Sequence, residues 1–179
     1  MRVKFEKTKQ RLTKLNYIKN NRLTAKGEFS SQIYADEILI GEIFATDFYL
    51  NLNEYQILMI LACICYESRE KTEFYQHYRS KFVADLIRLI RNSPFLSKDK
   101  RFRSVNDVTA LVHPCYHGKT IFDVLKNTNL LEGDLIRFNR QILDRIGQIK
   151  NATQDRRLAD MLTSIQHQII DCMKDIDAI

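Results

Sequence analysis

Leu130 to Gln148 reads L-L-E-G-D-L-I-R-F-N-R-Q-I-L-D-R-I-G-Q. Leu135, Phe138, Ile142, Ile146 and, just beyond, Ile149 recur at helical spacing. That period predicts an amphipathic helix from Gly133 to about Lys150 with one apolar stripe. Arg137, Arg140, Gln141, Asp144, Arg145 and Gln148 fall on the other side. Glu132 suits the positive end of the helix dipole. Such a helix packs by one face and offers arginine and amide groups to a nucleic-acid strand on the other. A charged face that is merely solvated is the commoner use of this pattern.

The same period runs through the rest of the chain. Val3 to Leu15 reads as a basic helix with Phe5, Leu12 and Leu15 inward, followed by a turn at Asn20-Asn21. Leu23 to Lys26 reads as extended, and Gly27 to Ile33 as a helical turn. Asp36 is the expected N-cap of a helix to about Ala45, and Asn53 of one to about Tyr66. Phe74 to Arg91 reads as a long helix stopped by Ser93-Pro94, and Ser97 to Ser104 as a flexible basic loop. Asn106 to about His117 is a helix interrupted or kinked at Pro114. Thr120 caps a short helix, and Thr153 a final long one. With only 5 Gly and 2 Pro among 179 residues, breaks are few. The fold class is therefore all-α, a multi-helix bundle. Residues 1–33 form an N-terminal basic appendage, and 34–179 the bundle. The expected core includes Ile38, Leu39, Ile43, Leu58, Leu61, Leu86, Ile142 and Ile146.

Composition narrows the function classes. The chain is 45% hydrophobic and 28% charged, ordinary for a soluble globular domain. A net charge of +6 permits contact with a polyanion. Lys4, Lys7, Lys9, Arg11, Lys14, Lys19 and Arg22 cluster near the start, and Lys98, Lys100, Arg101 and Arg103 later. Ile57 to Cys65 is too short to span a bilayer, so no membrane partner is expected. Cys63, Cys65, Cys115 and Cys172 contain no C-x-x-C pair and read as buried reduced thiols of a cytoplasmic or nuclear protein.

No catalytic constellation is present. Gly118-Lys119-Thr120 resembles the end of a phosphate loop, but the upstream glycine which that loop needs is missing. His113, Cys115 and His117 lack the second ligand pair that zinc wants, so no metal is expected. Aspartates and glutamates are plentiful, but none sits with a nucleophile at useful spacing.

Four stretches in order carry a resemblance. They are L-T-A-K-G-E-F-S-S-Q-I-Y-A-D-E-I-L-I-G-E-I-F (Leu23 to Phe44), N-L-N-E-Y-Q-I-L-M-I-L-A-C-I-C-Y-E (Asn51 to Glu67), Y-H-G-K-T-I-F-D-V-L (Tyr116 to Leu125) and E-G-D-L-I-R (Glu132 to Arg137). The series resembles the DSHCT domain, the C-terminal helical domain of superkiller-type, exosome-associated DExH-box RNA helicases and their HelY-like relatives. The resemblance implies that the Glu132 helix is the ratchet helix, lying across the channel by which single-stranded RNA leaves the RecA-like motor domains. It makes Glu132, Arg137 and Arg140 RNA-binding candidates, and Gln141 and Asp144, on the same polar face, join them. It implies RNA processing or decay as the setting, RecA-like motor domains as partners, and an exosome-type complex as a further one. This chain would need no cofactor, because ATP and Mg would bind the absent motor. His167 stands where the family usually has an arginine near the C-terminus, which puts RNA contact by the last helix in doubt. The rival expectation is a helical adaptor that acts by protein–protein association alone.

Overall fold

The computed structural model describes residues 1–176, so the last three residues of the bundle expected over 34–179 lie outside the described residues. Among the described residues nine α-helices follow one another: α1 (Arg2–Lys14), α2 (Ala25–Ser31), α3 (Glu37–Phe44), α4 (Glu54–Cys65), α5 (Lys81–Asn92), α6 (Val105–Tyr116), α7 (Ile121–Leu125), α8 (Glu132–Ala152) and α9 (Arg156–Cys172). Among the described residues the only sheet is a hairpin, β1 (Ile18–Lys19) against β2 (Arg22–Leu23). Its turn is Asn20-Asn21, both at positive φ, the backbone that a two-residue hairpin demands and asparagine tolerates. The all-α class is therefore what the chain adopts.

α4 is the central element. Every residue from Tyr55 to Cys65 is buried, so this helix is apolar on all sides and surrounded. It packs against α5, α6, α8 and α9. Its start is fixed by a capping box. Asn53 Oδ1 accepts from the Gln56 amide at 2.8 Å, and Gln56 Oε1 accepts from the Asn53 amide at 2.9 Å. The stripe of α8 buries as its period requires: Leu135, Phe138, Ile142, Ile146 and Ile149 all lie in the core. So do Leu39, Ile43, Leu58, Leu61 and Leu86, whereas Ile38 is only half-buried.

The K-G element proves to be a structural joint. A Cβ on Gly27 would run into the Tyr17 carbonyl, so only glycine lets α2 lie this close to β1. Lys26 Nζ pairs with Glu42 at 2.6 Å and sits 4.4 Å from the centre of the Tyr17 ring. Tyr17 donates to the Ile38 carbonyl at 3.0 Å. These contacts tie the hairpin to α2 and α3.

Several expectations fail. The long helix over Phe74–Arg91 is really α5 alone, capped by Ser80. Before it the backbone is held by distant partners: the Tyr75 amide donates to the Asn127 carbonyl at 2.7 Å, and the Tyr78 amide to Thr109 Oγ1 at 3.0 Å. Those bonds satisfy groups that a helix would have paired locally. Phe82, on α5, is 52% exposed. The basic loop over Ser97–Ser104 forms 3-10 turns, Leu96–Lys98 and Lys100–Ser104, anchored by buried Phe102. α6 continues through Pro114. The Ala110 carbonyl, which Pro114 cannot serve, accepts instead from Asn127 Nδ2 at 3.0 Å. Asp155, rather than Thr153, caps α9. α1 buries no residue, and Phe5 on it is 65% exposed.

The reduced state expected of all four cysteines holds for two. Cys63 and Cys65 are free and buried, and burial pushes the Cys65 thiol up to about 12. Cys115 and Cys172 form a disulfide joining α6 to α9, 57 residues apart. Spacing along the chain could not show that helix packing brings these two side chains together. The cysteines therefore no longer argue for a reducing compartment. No helix among the described residues is long and apolar enough to cross a membrane.

Candidate nucleic-acid interface

α8 presents its polar face to an open groove of about 1010 Å³. One wall is α8 itself, with Ile136, Arg137, Arg140, Gln141, Asp144 and Arg145. The other comprises the end of α4 at Ile64 and Cys65, the following Tyr66 to Ser68, and Asp36 and Arg101. Burial of the Leu135 stripe against the core leaves the opposite side of the helix to form this wall.

Four of the five expected site residues share the groove. Arg137 and Arg140 are exposed, and neither has a hydrogen bond or ion pair among the described residues. Gln141 is half-buried and lines the same groove, again without a partner among the described residues. Asp144 accepts from Gln148 Nε2 at 3.0 Å. Glu132 begins α8 and is not a lining residue, although its neighbour Gly133 is. The helix start is held by Asp134, which accepts from the Leu131 amide at 3.3 Å and meets Arg69 at 3.4 Å.

A second set of groove residues escaped sequence reasoning. Asp36 occupies the N-cap position of α3 but caps nothing; it has φ of 56°. Its carboxylate instead bridges Arg101 at 3.0 Å and Arg145 at 3.3 Å. Arg101 is further held by Asp99 at 2.8 Å, and this guanidinium keeps the Asp99 carboxyl below the usual carboxylate range. The network joins three segments far apart in sequence. No local pattern signals it, since Asp36 fits a cap and Arg101 lies in a basic run.

Arg140 also lines a smaller recess of about 480 Å³ toward the end of α9, with Ile136, His167, Ile170, Met173 and Lys174. The two hollows thus meet across the α8 ridge at Ile136 and Arg140.

A family model described as the DSHCT (NUC185) domain matches residues 20–171. The chain belongs to the DSHCT family. The match runs from the turn of the hairpin to the last turn of α9, most of the chain. DSHCT domains occur in helicases, so this is a helicase-associated domain. No curated protein matches the chain. In this DSHCT domain, the motif residues divide by role. Lys26, Gly27 and Glu42 build the hairpin joint. Arg137 and Arg140 face solvent in the groove.

Two other motifs serve structure in this DSHCT domain. Gly118, at φ 77°, turns the chain after α6, and the Lys119 amide donates to the Pro114 carbonyl at 2.9 Å. The Thr120 amide donates to Asp123 Oδ2 at 3.1 Å, which caps α7. Those amides are therefore turned into the fold and away from any phosphate. His113 stacks on Tyr78 with ring centres 4.0 Å apart and lies 4.1 Å from His117. Burial, and then the neighbouring His117, lower its pKa below the ordinary histidine value. No group of three His, Cys, Asp or Glu suited to a metal ion occurs among the described residues.

Proposed function

We propose that this domain guides single-stranded RNA across α8 and braces the RecA-like motor domains of an ATP-dependent RNA helicase. The setting would be RNA processing or decay in the cytoplasm or nucleus, with an exosome-type complex as a further partner. The observation that carries this reading is the pair Arg137 and Arg140: exposed, one turn apart, unpaired among the described residues, and in one groove with Gln141. An arginine binds phosphate or stacks on a base, and an amide meets a base edge. Asp36 and Asp99 together balance Arg101 and Arg145, so among the described lining residues Arg137 and Arg140 are the cations left to a strand. ATP and Mg would bind the motor and not this chain.

The adaptor reading has one observation of its own. Leu50 and Phe82 are each more than half exposed and line a hollow beside Leu89 and Met161. A partner helix or loop could cover them. Fluorescence anisotropy with U-rich and A-rich oligomers over a salt series decides between the readings. Each phosphate contact on a single strand contributes about 0.7 to the log–log salt slope. Arg137→Ala with Arg140→Ala should flatten the slope by about 1.4 and weaken binding to both oligomers alike. Unchanged binding in that variant would favour the adaptor.

A further inference from the structure

α1 stands apart from the rest of the fold. None of its residues is buried, and its packing is to β1 of the hairpin. Lys9 and Leu12 are its half-buried residues. Lys4, Lys7, Arg11 and Lys14 follow one another at spacings of three, four and three. That spacing places all four on a single helix face, opposite Lys9 and Leu12. At 1.5 Å per residue the row is roughly 15 Å long. All four side chains are exposed, and none has an ion pair among the described residues. The one acid of the helix, Glu6, lies off the row.

We propose that this row is a second contact for the phosphates of single-stranded RNA, separate from the α8 groove. The proposal rests on the reading that the chain binds RNA. A helix of this length without tertiary burial is marginal in water. Neighbouring like charges three and four residues apart weaken it further. A polyanion laid along the row removes that repulsion and releases its own counterions. The chemistry of α1 argues against two other occupants. A membrane surface needs a broad apolar face opposite the cations, and here that side holds Lys9, Thr13 and Glu6 with only Phe5 and Leu12. A protein interface needs buried apolar or aromatic anchors at its centre, and the row has none.

The test uses the whole chain and two variants that each remove two positive charges from α1. Lys7→Gln with Arg11→Gln breaks the row; Arg2→Gln with Lys9→Gln spares it. Because α1 buries nothing, both should melt like the wild type. Anisotropy with a U-rich oligomer over a salt series should show the row variant losing about 1.4 from the log–log slope. The control variant should lose less than half as much. Equal losses in the two variants, or no loss in the row variant, would overturn the proposal. So would binding of α1 to phosphatidylserine vesicles with no difference toward RNA. The Arg137 and Arg140 variant separates the two claims. If it binds like wild type, the α8 reading falls; if the row and control variants agree, only this inference falls.

Discussion

Leu61 shows how far a single residue could be read. It falls mid-way along the apolar run Ile57–Cys65, and the fold leaves none of its side chain exposed. Truncation to alanine should cost about 2–5 kcal/mol, the transfer term plus the cavity left in α4. Urea unfolding checks this, and an unchanged midpoint would mean that the centre of the bundle lies elsewhere. Arg137 and Arg140 were legible in the same way, because a helical period assigns each position a side. Asp36 was not. Ordinary rules make an aspartate before a helix a cap, and here its carboxylate turns to two arginines from distant segments. Pairing of opposite charges from distant segments is a tertiary event with no trace in local spacing. Glu132 marks the same limit: it opens α8 where expected, but the groove is lined by its neighbour.

Among the elements, α4 and α8 were plain because each is long and strongly periodic. The segment before α5 departs from the helix its aromatics predict, because the amides of Tyr75 and Tyr78 donate to Asn127 and Thr109 instead of to a helical ladder. α6 differs again, since Asn127 supplies the hydrogen bond that Pro114 cannot. The aromatic cluster on α6 has a pH signature. His113 has a folded pKa below its ordinary value of about 6.5. As pH falls below 6.5, the unfolded chain takes up this proton first, so stability drops until the lower folded value is reached. Above the ordinary value the group contributes no pH dependence. His113→Phe should flatten that part of the stability curve, measured as urea midpoints from pH 7 down to 5. Asp99 acts in a lower window. Its contribution is complete above about 3.9 and is lost as pH falls through its depressed value. An unchanged slope between pH 5 and 6.5 in His113→Phe would show that this ring is not the source.

At the scale of the whole molecule, the all-α bundle followed from period, caps and the scarcity of breakers. The disulfide did not, because Cys115 and Cys172 are brought together only by the packing of α6 on α9. A loop of 57 residues closed in the unfolded chain implies roughly 4 kcal/mol of stabilisation in the chain-entropy account. Dithiothreitol should therefore lower the melting temperature of the wild type and leave that of Cys115→Ala with Cys172→Ala unmoved. Equal melting of the wild type with and without reductant would contradict the cross-link. The role proposed for the α8 groove is to hold a single strand through Arg137 and Arg140. The most direct measurement is the salt dependence of RNA binding for the wild type and the Arg137→Ala, Arg140→Ala variant. The log–log slope should be flatter by about 1.4 in the variant, with weaker binding to U-rich and A-rich oligomers alike. Matching slopes for the two proteins would contradict it.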